Sequence, residues 1–392
     1  MLNYEKDGCL VVELDSRMDA ANSDSAEAEI REAVRQHPGL PLCLDADRLE
    51  YISSSGLRVL LKFQKASGGL KIINVSPEVY EIFETTGFNS FLTIQKRRRR
   101  VNVDGCRILG QGAFGTVYRL DEDTVVKVYH GDSQKMLPII ETERERARQA
   151  FLAGVPTAIP FDIVRVGDEY GAVFEMIDAE NCNDLIVKDP AETDRLIPKY
   201  AELIKTLHSL HGVSGQLSDI RELYLEQIDE FACLDSETAD RLKELLRGIP
   251  DADGIIHGDI QLKNVMISGD EMILIDMDHM HRGNPVFEFA GLFATYVAFN
   301  EDEPENTLKF VGIGREDAAR IFNSTLEAYL GCSGGPDMEE TRRKVQTAGY
   351  LRFLQILMIE MKDLQSELKD TRIRHAAEHL KELSGAISSL GI

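Results

Sequence analysis

The stretch IIHGDIQLKNVMISGDEMILIDMD, residues 255–278, decides the fold of most of this chain. Two apolar runs within it, at residues 265–268 and 272–275, are separated by a Gly-Asp pair at 269–270. Apolar runs on either side of such a pair predict a β-hairpin with a tight turn. Polar residues precede the first strand and follow the second, so we expect any chemistry at the open end of the hairpin.

Three polar residues mark that open end. Asn264 and Asp276 flank the predicted strands, and Asp259 lies in the loop five residues before Asn264. An amide oxygen and a carboxylate suit a hard cation such as Mg²⁺. A second carboxylate can orient a hydroxyl group and accept its proton. These are the parts that a phosphoryl-transfer site requires. The alternative is a buried hairpin whose ends are capped by polar residues.

Upstream, RILGQGAFGTVYRLDEDTVVKVYH at residues 107–130 contains Gly110, Gly112 and Gly115 in a G-x-G-x-x-G pattern. Dinucleotide-binding folds share this pattern, but their third glycine opens a helix. Here alternating residues with β propensity follow, which predicts strand, glycine turn, strand, turn and strand. Glycines allow backbone N–H groups to approach phosphate oxygens closely. We therefore expect a nucleotide site, and Val117 on the second strand is counted with it.

Lys127 lies on the third of these predicted strands. Its neighbours are Val126 and Val128, so its side chain points to the opposite face of the strand. An exposed strand lysine is the ordinary interpretation. Beside the glycine turn, a lysine that binds phosphate is favoured instead.

A helix is predicted over residues 140–152, IETERERARQAFL, from its apolar spacing. Glu143 lies on the apolar face of this helix and is the best partner for Lys127, whereas Glu141 and Glu145 are less well placed. The alternative for each glutamate is a solvated acidic face. The residues that share the apolar face by helical spacing are Ile140, Glu143, Ala147, Ala150 and Phe151.

The motif H-G-D at 257–259, followed by Asn264 and Asp276, resembles the catalytic loop and metal-binding aspartate of the protein-kinase-like superfamily. It is most similar to the branch that contains aminoglycoside phosphotransferases and choline kinases. The resemblance implies that Asp259 is the catalytic base and that His257 braces the loop. It also implies that Asn264 and Asp276 hold Mg²⁺.

The same resemblance assigns roles elsewhere in the chain. Lys127 would grip the α- and β-phosphates of ATP and pair with Glu143. The connection between two lobes would lie near Glu175 and Ile177, where backbone groups would bind adenine. Glu288 would brace the catalytic loop from below.

Residues 103 to about 330 also resemble a bacterial kinase-like family of paralogues, through GVPTAIPFDIV, YGAVFE, H-G-D with K-N, and I-D-M-D. The expected fold of this part is a bilobal α+β protein-kinase-like domain. Its N-lobe would span 103–177 and its mainly helical C-lobe 178–392, ending in long helices over 338–390. The apolar residues of those last helices are expected to pack on the large lobe.

Departures from the protein-kinase pattern bear on the acceptor. Gly258 replaces the arginine of H-R-D, and Gln261 stands where serine/threonine kinases carry a lysine that contacts the γ-phosphate. Met277 takes the middle position of the D-F-G motif, and no A-P-E segment follows. There is little room for a peptide-binding activation segment, so a small-molecule acceptor is favoured.

Residues 1–95 predict a separate α/β module, because strands alternate with helices. Its segments LCLDADRLEYISSSGLRVLL and GGLKIINVSPEVYEIFETTGF resemble a STAS domain, the fold of bacterial anti-sigma-factor antagonists. The resemblance implies a regulatory or partner-binding role. The predicted strands span 9–14, 40–44 and 70–74, and the predicted helices span 24–36, 56–65 and 77–85.

A serine cluster, Ser53 to Ser55 before Gly56, stands where phosphoregulated STAS proteins carry Asp-Ser-Ser/Thr-Gly. Ser54 occupies the modified position and is the candidate phosphosite, while Ser53 replaces the aspartate. Capping of the helix predicted from Gly56 is the alternative role for these hydroxyls. A phosphate at this place would meet the same N–H groups and the helix dipole.

The modules are joined by a basic segment at 96–102, which contains KRRRR. Such a run can bind nucleic acid or anionic membranes. The whole chain has a net charge of −23, with 67 acidic and 44 basic residues, which disfavours a polyanion partner. A solvated interdomain linker is therefore expected, with docking on an acidic face of the kinase lobe as the alternative.

The six cysteines are scattered without C-x-x-C spacing, so we interpret them as free thiols of a cytoplasmic protein. No leader and no membrane-spanning run is recognised. His208 and His211 lie three apart in a predicted helix and are interpreted as core histidines rather than metal ligands, since no third ligand is in view.

Together these patterns predict a STAS domain fused to a phosphotransferase that uses ATP and Mg²⁺ and transfers the γ-phosphoryl group to a hydroxyl of a small molecule. One alternative is a serine kinase of a partner-switching pathway, with Ser54 or another STAS protein as acceptor. Another is a non-catalytic nucleotide-binding scaffold. A protein partner is expected through the STAS domain, and nucleic acid is not expected as a partner.

Overall fold

The computed structural model describes residues 1–6, 8–67, 69–112, 115–211 and 217–392. The chain divides into two compact units. One consists of Met1–Asn102 with Val164–Gly167, and the other of Val103–Ile163 with Asp168–Ile392. Each unit is built around its own hydrophobic core.

The first unit contains a five-stranded sheet with the order β1-β2-β4-β6-β7 and a separate two-stranded pair, β3-β5. Only β1 runs antiparallel to its neighbour; the others are parallel, which requires the helical crossovers that the chain supplies. The strands are β1 (Asn3–Lys6), β2 (Cys9–Glu13), β3 (Arg17–Met18), β4 (Leu42–Asp45), β5 (Tyr51–Ile52), β6 (Lys71–Val75) and β7 (Thr93–Lys96). The helices are α1 (Ser23–Gln36), α2 (Ser54–Ser67) and α3 (Pro77–Thr85).

The edge strands are what the sequence does not predict in this unit. All four residues of β1 are exposed, so its sequence NYEK lacks the apolar alternation that marks a half-buried strand. The central strands are recognisable because parallel strands are covered on both faces and read as apolar runs. Leu10 and Val12 of β2 and Leu44 of β4, for example, have no exposed surface.

Several residues of the basic segment after β7 form hydrogen bonds with other residues of the first unit. The Arg97 N–H donates to the Val75 carbonyl at 2.7 Å, and the Arg97 guanidinium donates to the Asp47 carbonyl at 2.9 Å. Further along, the Val101 N–H donates to the Arg165 carbonyl at 2.8 Å. Hydrogen bonds therefore hold several residues of this segment, most of which are exposed to solvent, and the linker role of 96–102 stays a prediction.

The second unit begins with an antiparallel sheet in the order β11-β12-β10-β9-β8. One long helix lies between β10 and β11 along the chain. The elements are β8 (Ile108–Gln111), β9 (Gly115–Arg119), β10 (Thr124–Tyr129), α4 (Ser133–Leu152), β11 (Pro160–Val166) and β12 (Glu169–Glu175).

Helix α4 starts seven residues before the predicted Ile140, because residues 133–139 lack the apolar spacing that would reveal them. The predicted face is largely buried, with Ile140, Ala147 and Ala150 at 3% exposure or less. Phe151 is the exception at 41% exposed. It lies in the last turn of the helix, where the core no longer covers it.

The remainder of the second unit is mainly helical, apart from short strands that include the β15–β16 hairpin. The strands are β13 (Glu180–Asn181), β14 (Ile255–Ile256), β15 (Val265–Ser268), β16 (Glu271–Leu274) and β17 (His281–Arg282). The helices are α5 (Cys182–Lys188), α6 (Glu192–Ser209), α7 (Ile220–Gln227), α8 (Ser236–Arg247), α9 (Val286–Phe293), α10 (Phe299–Asp302), α11 (Asn306–Val311), α12 (Arg315–Leu330), α13 (Pro336–Gln355) and α14 (Glu367–Ala386).

Two π-helical segments interrupt this bundle, Ala294–Ala298 after α9 and Ile356–Glu360 after α13. Helix α13 packs along α9, and Gly349 faces Phe293, whose Cδ1 would lie 2.3 Å from a Cβ at that position. The last helices therefore belong to the core of this unit. Within the described parts of the chain, no helix has both the length and the apolar character that a membrane crossing requires.

Gly56 fixes the packing of α2 in the first unit. A Cβ at Gly56 would lie 2.6 Å from the Met18 carbonyl oxygen and 2.7 Å from Cγ1 of Ile52. Backbone of β3 and a side chain of β5 thus approach the helix at distances that exclude any larger residue. The helix can lie on the β3–β5 pair only because this residue has no side chain.

We predict that Gly56→Ala destabilises the first unit by about 1–3 kcal/mol, because the backbone of Met18 has to move to admit the methyl group. Gly69→Ala is the matched control, since a Cβ there meets nothing within 4 Å. Hydrogen-exchange mass spectrometry of the full chain in urea measures both. Equal protection of the α2 peptides in the two variants would contradict the packing argument.

Candidate functional site

The open end of the β15–β16 hairpin brings Asn264 and Asp276 together. The Ile275 N–H donates to the Asn264 carbonyl oxygen at 3.0 Å, so the pairing continues one step beyond the strands. Asp276 follows at once with φ of 66°. A non-glycine residue adopts this left-handed conformation only where its surroundings enforce it, and such residues cluster at functional sites.

Glu288 on α9 holds the loop that carries the H-G-D motif. Its carboxylate is buried and accepts the His257 N–H at 2.8 Å and the Gly258 N–H at 3.0 Å. Burial alone would raise the pKa of Glu288, but the hydrogen bond and charge of His208 and the contacts with His257 hold it below its ordinary value. The loop is therefore anchored from below by an ionised carboxylate.

Two buried tyrosines hold the same loop further along. The Tyr200 hydroxyl of α6 donates to the Ile260 carbonyl oxygen, and the Tyr296 hydroxyl accepts the Leu262 N–H at 3.0 Å. Tyr296 lies in the π-helical segment after α9. Neither tyrosine carries a sequence signal, because each is one apolar-looking residue among many in a helix.

Gly258 has a steric reason to differ from the arginine of protein kinases. Its φ is +79°, and a Cβ there would lie 2.4 Å from the His279 carbonyl oxygen. A side chain at this position would be both strained and in collision with backbone. The departure thus follows from how closely the loop approaches residue 279.

His257 connects the loop to the hairpin. Its Nε2 lies 3.2 Å from the Ile275 carbonyl oxygen, and its Nδ1 lies 3.3 Å from the Asp259 N–H. An N–H can donate only to an unprotonated ring nitrogen, so these contacts are satisfied together when Nε2 carries the proton. In that tautomer His257 links residues 259 and 275 across the site.

Asp259 projects from the anchored loop and is surrounded by donors. Gln261 Nε2 lies 3.1 Å from its Oδ1 and 3.2 Å from its Oδ2, and Asn264 Nδ2 lies 3.0 Å from Oδ2. Burial raises the pKa of Asp259, while the bond from Gln261 and the charge of Arg352 act in the opposite direction. A carboxylate with a raised pKa is a better proton acceptor than an exposed one.

Lys127 is the centre of a cluster of three carboxylates. Its Nζ lies 2.6 Å from Glu143 Oε1 on α4. It also lies 3.2 Å from Asp276 Oδ1 and 3.4 Å from Asp278 Oδ2. Burial disfavours the ammonium charge, but the negative charges around it outweigh that effect and raise the pKa of Lys127 above its ordinary value.

The pKa values of the two aspartates in this cluster, Asp276 and Asp278, are shifted in opposite directions. Burial opposes ionisation of Asp276, but the charge and hydrogen bond of Lys127 hold its pKa below the ordinary value. Burial and the negative charge of Asp276 raise the pKa of Asp278 to about 9. Asp276 is therefore the more readily ionised of the two carboxyl groups.

Oxygen donors for a cation are available at this place. Glu143, Asp276 and Asp278 each offer an oxygen within 4.8 Å of the others. Among the described residues, Glu143 Oε2 and Asp278 Oδ1 are buried and make no hydrogen bond. Lys127 Nζ lies among the same three carboxylates, at 2.6 to 3.4 Å from their nearest oxygens.

A cavity of about 660 Å³ lies between the β-sheet and the helical part of the second unit. That volume is typical of a site for a cofactor-sized ligand. The cavity brings together most of the predicted nucleotide residues. Its walls include Gly110, Val117, Lys127, Glu143, Glu175, Ile177 and Asp276, with apolar surface from Val125, Phe174 and Met266.

The glycine pattern is only partly accounted for by this cavity. Gly110 lines it, and the Gly112 N–H donates to the Gly115 carbonyl at 2.9 Å across the turn. A Cβ at Gly115 would lie 2.4 Å from the Val128 carbonyl oxygen, so this glycine is required for strand packing. Residues 113 and 114 of the pattern lie outside the described residues.

The backbone between the lobes has one N–H left for a ligand in the predicted segment. The Glu175 N–H donates to the Ile159 carbonyl at 2.9 Å, and the Met176 N–H donates to the Asp123 carbonyl at 2.7 Å. Ile177 makes no such bond to any residue that the structure describes. Ile177 and its neighbour Met176 both line the cavity.

In the first unit, capping of α2 falls to Ser53. Its Oγ accepts the Ser55 N–H at 3.2 Å, and the helix begins at Ser54, two residues before the predicted start. Ser54 is exposed in the first turn. The candidate phosphosite is thus separate from the capping hydroxyl.

His208 and His211 have different surroundings, and only His208 lies within α6. His208 is buried against Glu288, with Nε2 3.5 Å from Oε2, and its Nδ1 lies 2.9 Å from the Tyr329 hydroxyl. His211 lies beyond the end of α6 and is exposed. The interpretation of both as core histidines is therefore wrong for His211.

Comparison with known proteins decides the family. Residues 105–320, more than half of the 392-residue chain, match the model of the phosphotransferase enzyme family. The chain belongs to this family. Residues 1–100 of the chain match the model of the STAS domain. The predicted fold class, an α/β STAS domain followed by a bilobal α+β protein-kinase-like domain, is confirmed.

A curated relative supports the STAS assignment of the first unit. The Bordetella bronchiseptica protein BtrV, described as an anti-sigma factor antagonist, is 35% identical over 96 residues. These residues are 24% of this chain and 82% of that protein.

Solved structures similar to the chain include two kinds of kinase. A choline/ethanolamine kinase family protein from Mesorhizobium loti is 16% identical, with 71% of this chain and 87% of that chain covered and a TM-score of 0.46. The ADP-bound aminoglycoside phosphotransferase APH(2'')-Ib is 17% identical, with 78% and 98% covered and a TM-score of 0.47. Likeness at this level carries no argument about substrate.

We predict that Glu288→Gln destabilises the second unit by about 3 kcal/mol, because a buried amide cannot accept both N–H bonds and presents its own donors to them. The lowered pKa of Glu288 means that the wild-type contribution is complete above a pH of about 4.3 and is lost as the pH falls further. Urea unfolding of the full chain at neutral pH measures the effect.

Glu271→Gln is the matched control, since Glu271 is an exposed residue of β16 in the hairpin next to the loop. It should leave the unfolding midpoint unchanged. If Glu288→Gln also unfolds at the wild-type urea concentration, the anchoring of the loop does not depend on this carboxylate.

Proposed function

We propose that this member of the phosphotransferase enzyme family uses ATP and Mg²⁺ to transfer the γ-phosphoryl group to a hydroxyl of a small molecule. The observation that carries the proposal is the bridge from Lys127 to both lobes. Its Nζ lies 2.6 Å from Glu143 of α4 and 3.2 Å from Asp276 beyond the hairpin. A lysine held in this way can meet the phosphates of a nucleotide in the cavity that these residues line.

The cavity supports a nucleotide as the donor. Its volume of about 660 Å³ accommodates a ligand of this size, and its apolar walls suit a base. We assign adenine to the backbone near Glu175 and Ile177, and the phosphates to Lys127 and to the part of β8 that includes Gly110.

The residues at the open end of the hairpin fit Mg²⁺. Asn264 Nδ2 donates to Asp259, so its Oδ1 is left to act as a ligand, and Asp276 is ionised at neutral pH. We propose that Asn264 and Asp276 hold the ion. When bound, Mg²⁺ would neutralise charge on the phosphate oxygens.

Asp259 is the proposed catalytic base. Its carboxylate is fixed by hydrogen bonds from Gln261 and Asn264, and burial raises its pKa. Such a group can orient an acceptor hydroxyl and take its proton during transfer. His257 would keep the loop in register with the hairpin through its contacts to residues 259 and 275.

A small acceptor is favoured by the short connection after Asp278. Only residues 279–285 separate it from α9, and β17 within this segment pairs with β14. A segment this short and paired offers no extended surface for a peptide. The STAS domain would supply the binding of a protein partner.

We predict that Asp259→Asn lowers ATP turnover by about 100-fold or more, because no carboxylate is then left to take the proton of the hydroxyl that receives the phosphoryl group. Asp270→Asn in the hairpin turn is the matched control, since its side chain is 96% exposed. ADP release is measured with Mg-ATP and a pool of metabolites, and ADP binding is measured by calorimetry. Nucleotide binding should be equal in wild type and both variants. Binding without turnover by the wild type would contradict the proposal and favour a nucleotide-binding scaffold.

A second function, as a protein serine kinase, is favoured by the exposure of Ser54. Its hydroxyl lies at the start of α2, where backbone N–H groups and the helix dipole stabilise a phosphate. The capping hydroxyl belongs to Ser53, so modification of Ser54 would not remove the cap.

If the second function holds, incubation with Mg-ATP adds the mass of one phosphoryl group to the intact chain, and both Ser54→Ala and Asp259→Asn abolish the gain. Ser55→Ala serves as the neighbouring control and should retain it. Intact-mass spectrometry reads all four proteins. An unchanged wild-type mass, together with ADP release that depends on a metabolite, would leave the small-molecule function as the correct one.

A further inference from the structure

Gln261 stands at a position where the kinase resemblance leaves its role open. In the structure its amide faces the Asp259 carboxylate and donates to both oxygens, at 3.1 Å to Oδ1 and 3.2 Å to Oδ2. It is therefore directed to the proposed base itself.

The backbone of Gln261 is fixed on both sides. Its neighbours Ile260 and Leu262 are buried, and they are the residues held by the hydroxyls of Tyr200 and Tyr296. A short 3₁₀ turn, Leu262–Asn264, begins directly after it. The Gln261 amide thus projects from an anchored segment, so little conformational freedom is lost when it binds the carboxylate.

The donors around Asp259 use its two oxygens unequally. Oδ2 accepts from Gln261 and from Asn264, whereas among the described residues Oδ1 accepts from Gln261 alone. A carboxylate oxygen has two acceptor positions. One position on Oδ1 is left, and it is the place for one further donor.

We propose that Gln261 is a positioning residue that clamps Asp259 so that the remaining position of Oδ1 faces the acceptor hydroxyl. This inference rests on the proposed function. In the transfer step, the O–H bond of the acceptor breaks, its proton passes to Oδ1, and its oxygen forms a bond to the γ-phosphorus. The bond from that phosphorus to the bridging oxygen breaks, and ADP leaves with its electron pair.

The alternative is that Gln261 contacts the γ-phosphate, as the lysine at this position does in serine/threonine kinases. The two roles predict different kinetics. A phosphate contact would change the affinity for ATP relative to ADP. A clamp on Asp259 would change kcat and leave the nucleotide affinities as they are.

Gln261→Leu removes the donor at similar volume, and Gln261→Lys keeps N–H donors for the carboxylate. We expect Gln261→Leu to lower kcat by about 100-fold through misplacement of the base, and Gln261→Lys to recover most of that loss. The KM for ATP and the affinities for ADP and a non-hydrolysable ATP analogue should remain as in wild type. A selective loss of affinity for the ATP analogue in Gln261→Leu would overturn the clamp.

A second measurement needs no turnover. The side-chain amide signals of Gln261, recognised in the ¹H–¹⁵N spectrum of the full chain by their loss in Gln261→Leu, should shift and exchange faster with solvent in Asp259→Ala. Unchanged Gln261 signals in Asp259→Ala would overturn the clamp even if the enzyme is active. If the Gln261 signals shift in Asp259→Ala but the wild-type protein shows no turnover, the clamp is supported and only the proposed function is contradicted.

Discussion

The buried carboxylate of Glu288 is the interaction on which the site depends. It accepts two consecutive backbone N–H groups, of His257 and Gly258, and thereby fixes a loop that has no regular secondary structure of its own. A loop buried at this depth would otherwise leave donors without partners. Because the anchor is a charge on α9, the helical core and the loop are joined by bonds stronger than those between neutral groups. The loop conformation also admits only glycine at 258, so the departure from the kinase motif and the anchor are parts of one arrangement.

A second constraint is electrostatic and connects the sheet with the hairpin. Lys127 on β10 neutralises carboxylates from α4 and from the segment after β16, which lie far apart in the sequence. An uncompensated charge buried here would be costly, and this cost ties the three elements to one another. The arrangement also explains why the pKa of Asp276 is lowered while that of Asp278 is raised, since Lys127 donates at 3.2 Å to Asp276 and burial beside the charge of Asp276 disfavours a second ionised carboxylate.

The sequence carries information about this site where chemistry coincides with periodicity. The hairpin, the alternation that turns Lys127 away from its valine neighbours, and the helical spacing of Glu143 are local patterns, and the structure brings these residues together. Tyr200 and Tyr296 could not be found in this way, because each acts through one contact with a residue distant in sequence. Arg352 could not be found either, because it acts on Asp259 through its charge and not through a local pattern. The exposure of Phe151 and the first residue of α2 differ from the prediction for a related reason. Helix ends depend on tertiary cover and on which serine caps, and the period of the sequence reports neither.

The C-terminal helices bear on the chemistry through one charge. Arg352 of α13 is buried, and it is paired with Glu360 across the π-helical segment Ile356–Glu360 and bonded to Gln355 at 2.7 Å. Its positive charge opposes the rise in the pKa of Asp259 that burial causes. Arg352 does not line the cavity that Lys127 borders, so it acts on Asp259 without contacting that cavity. A π-helical turn displaces the residues that follow it relative to an α-helix, and such turns are frequent at functional sites. The segment sets where Glu360 meets Arg352, and the positive charge that acts on Asp259 therefore depends on helices that the family motifs do not include.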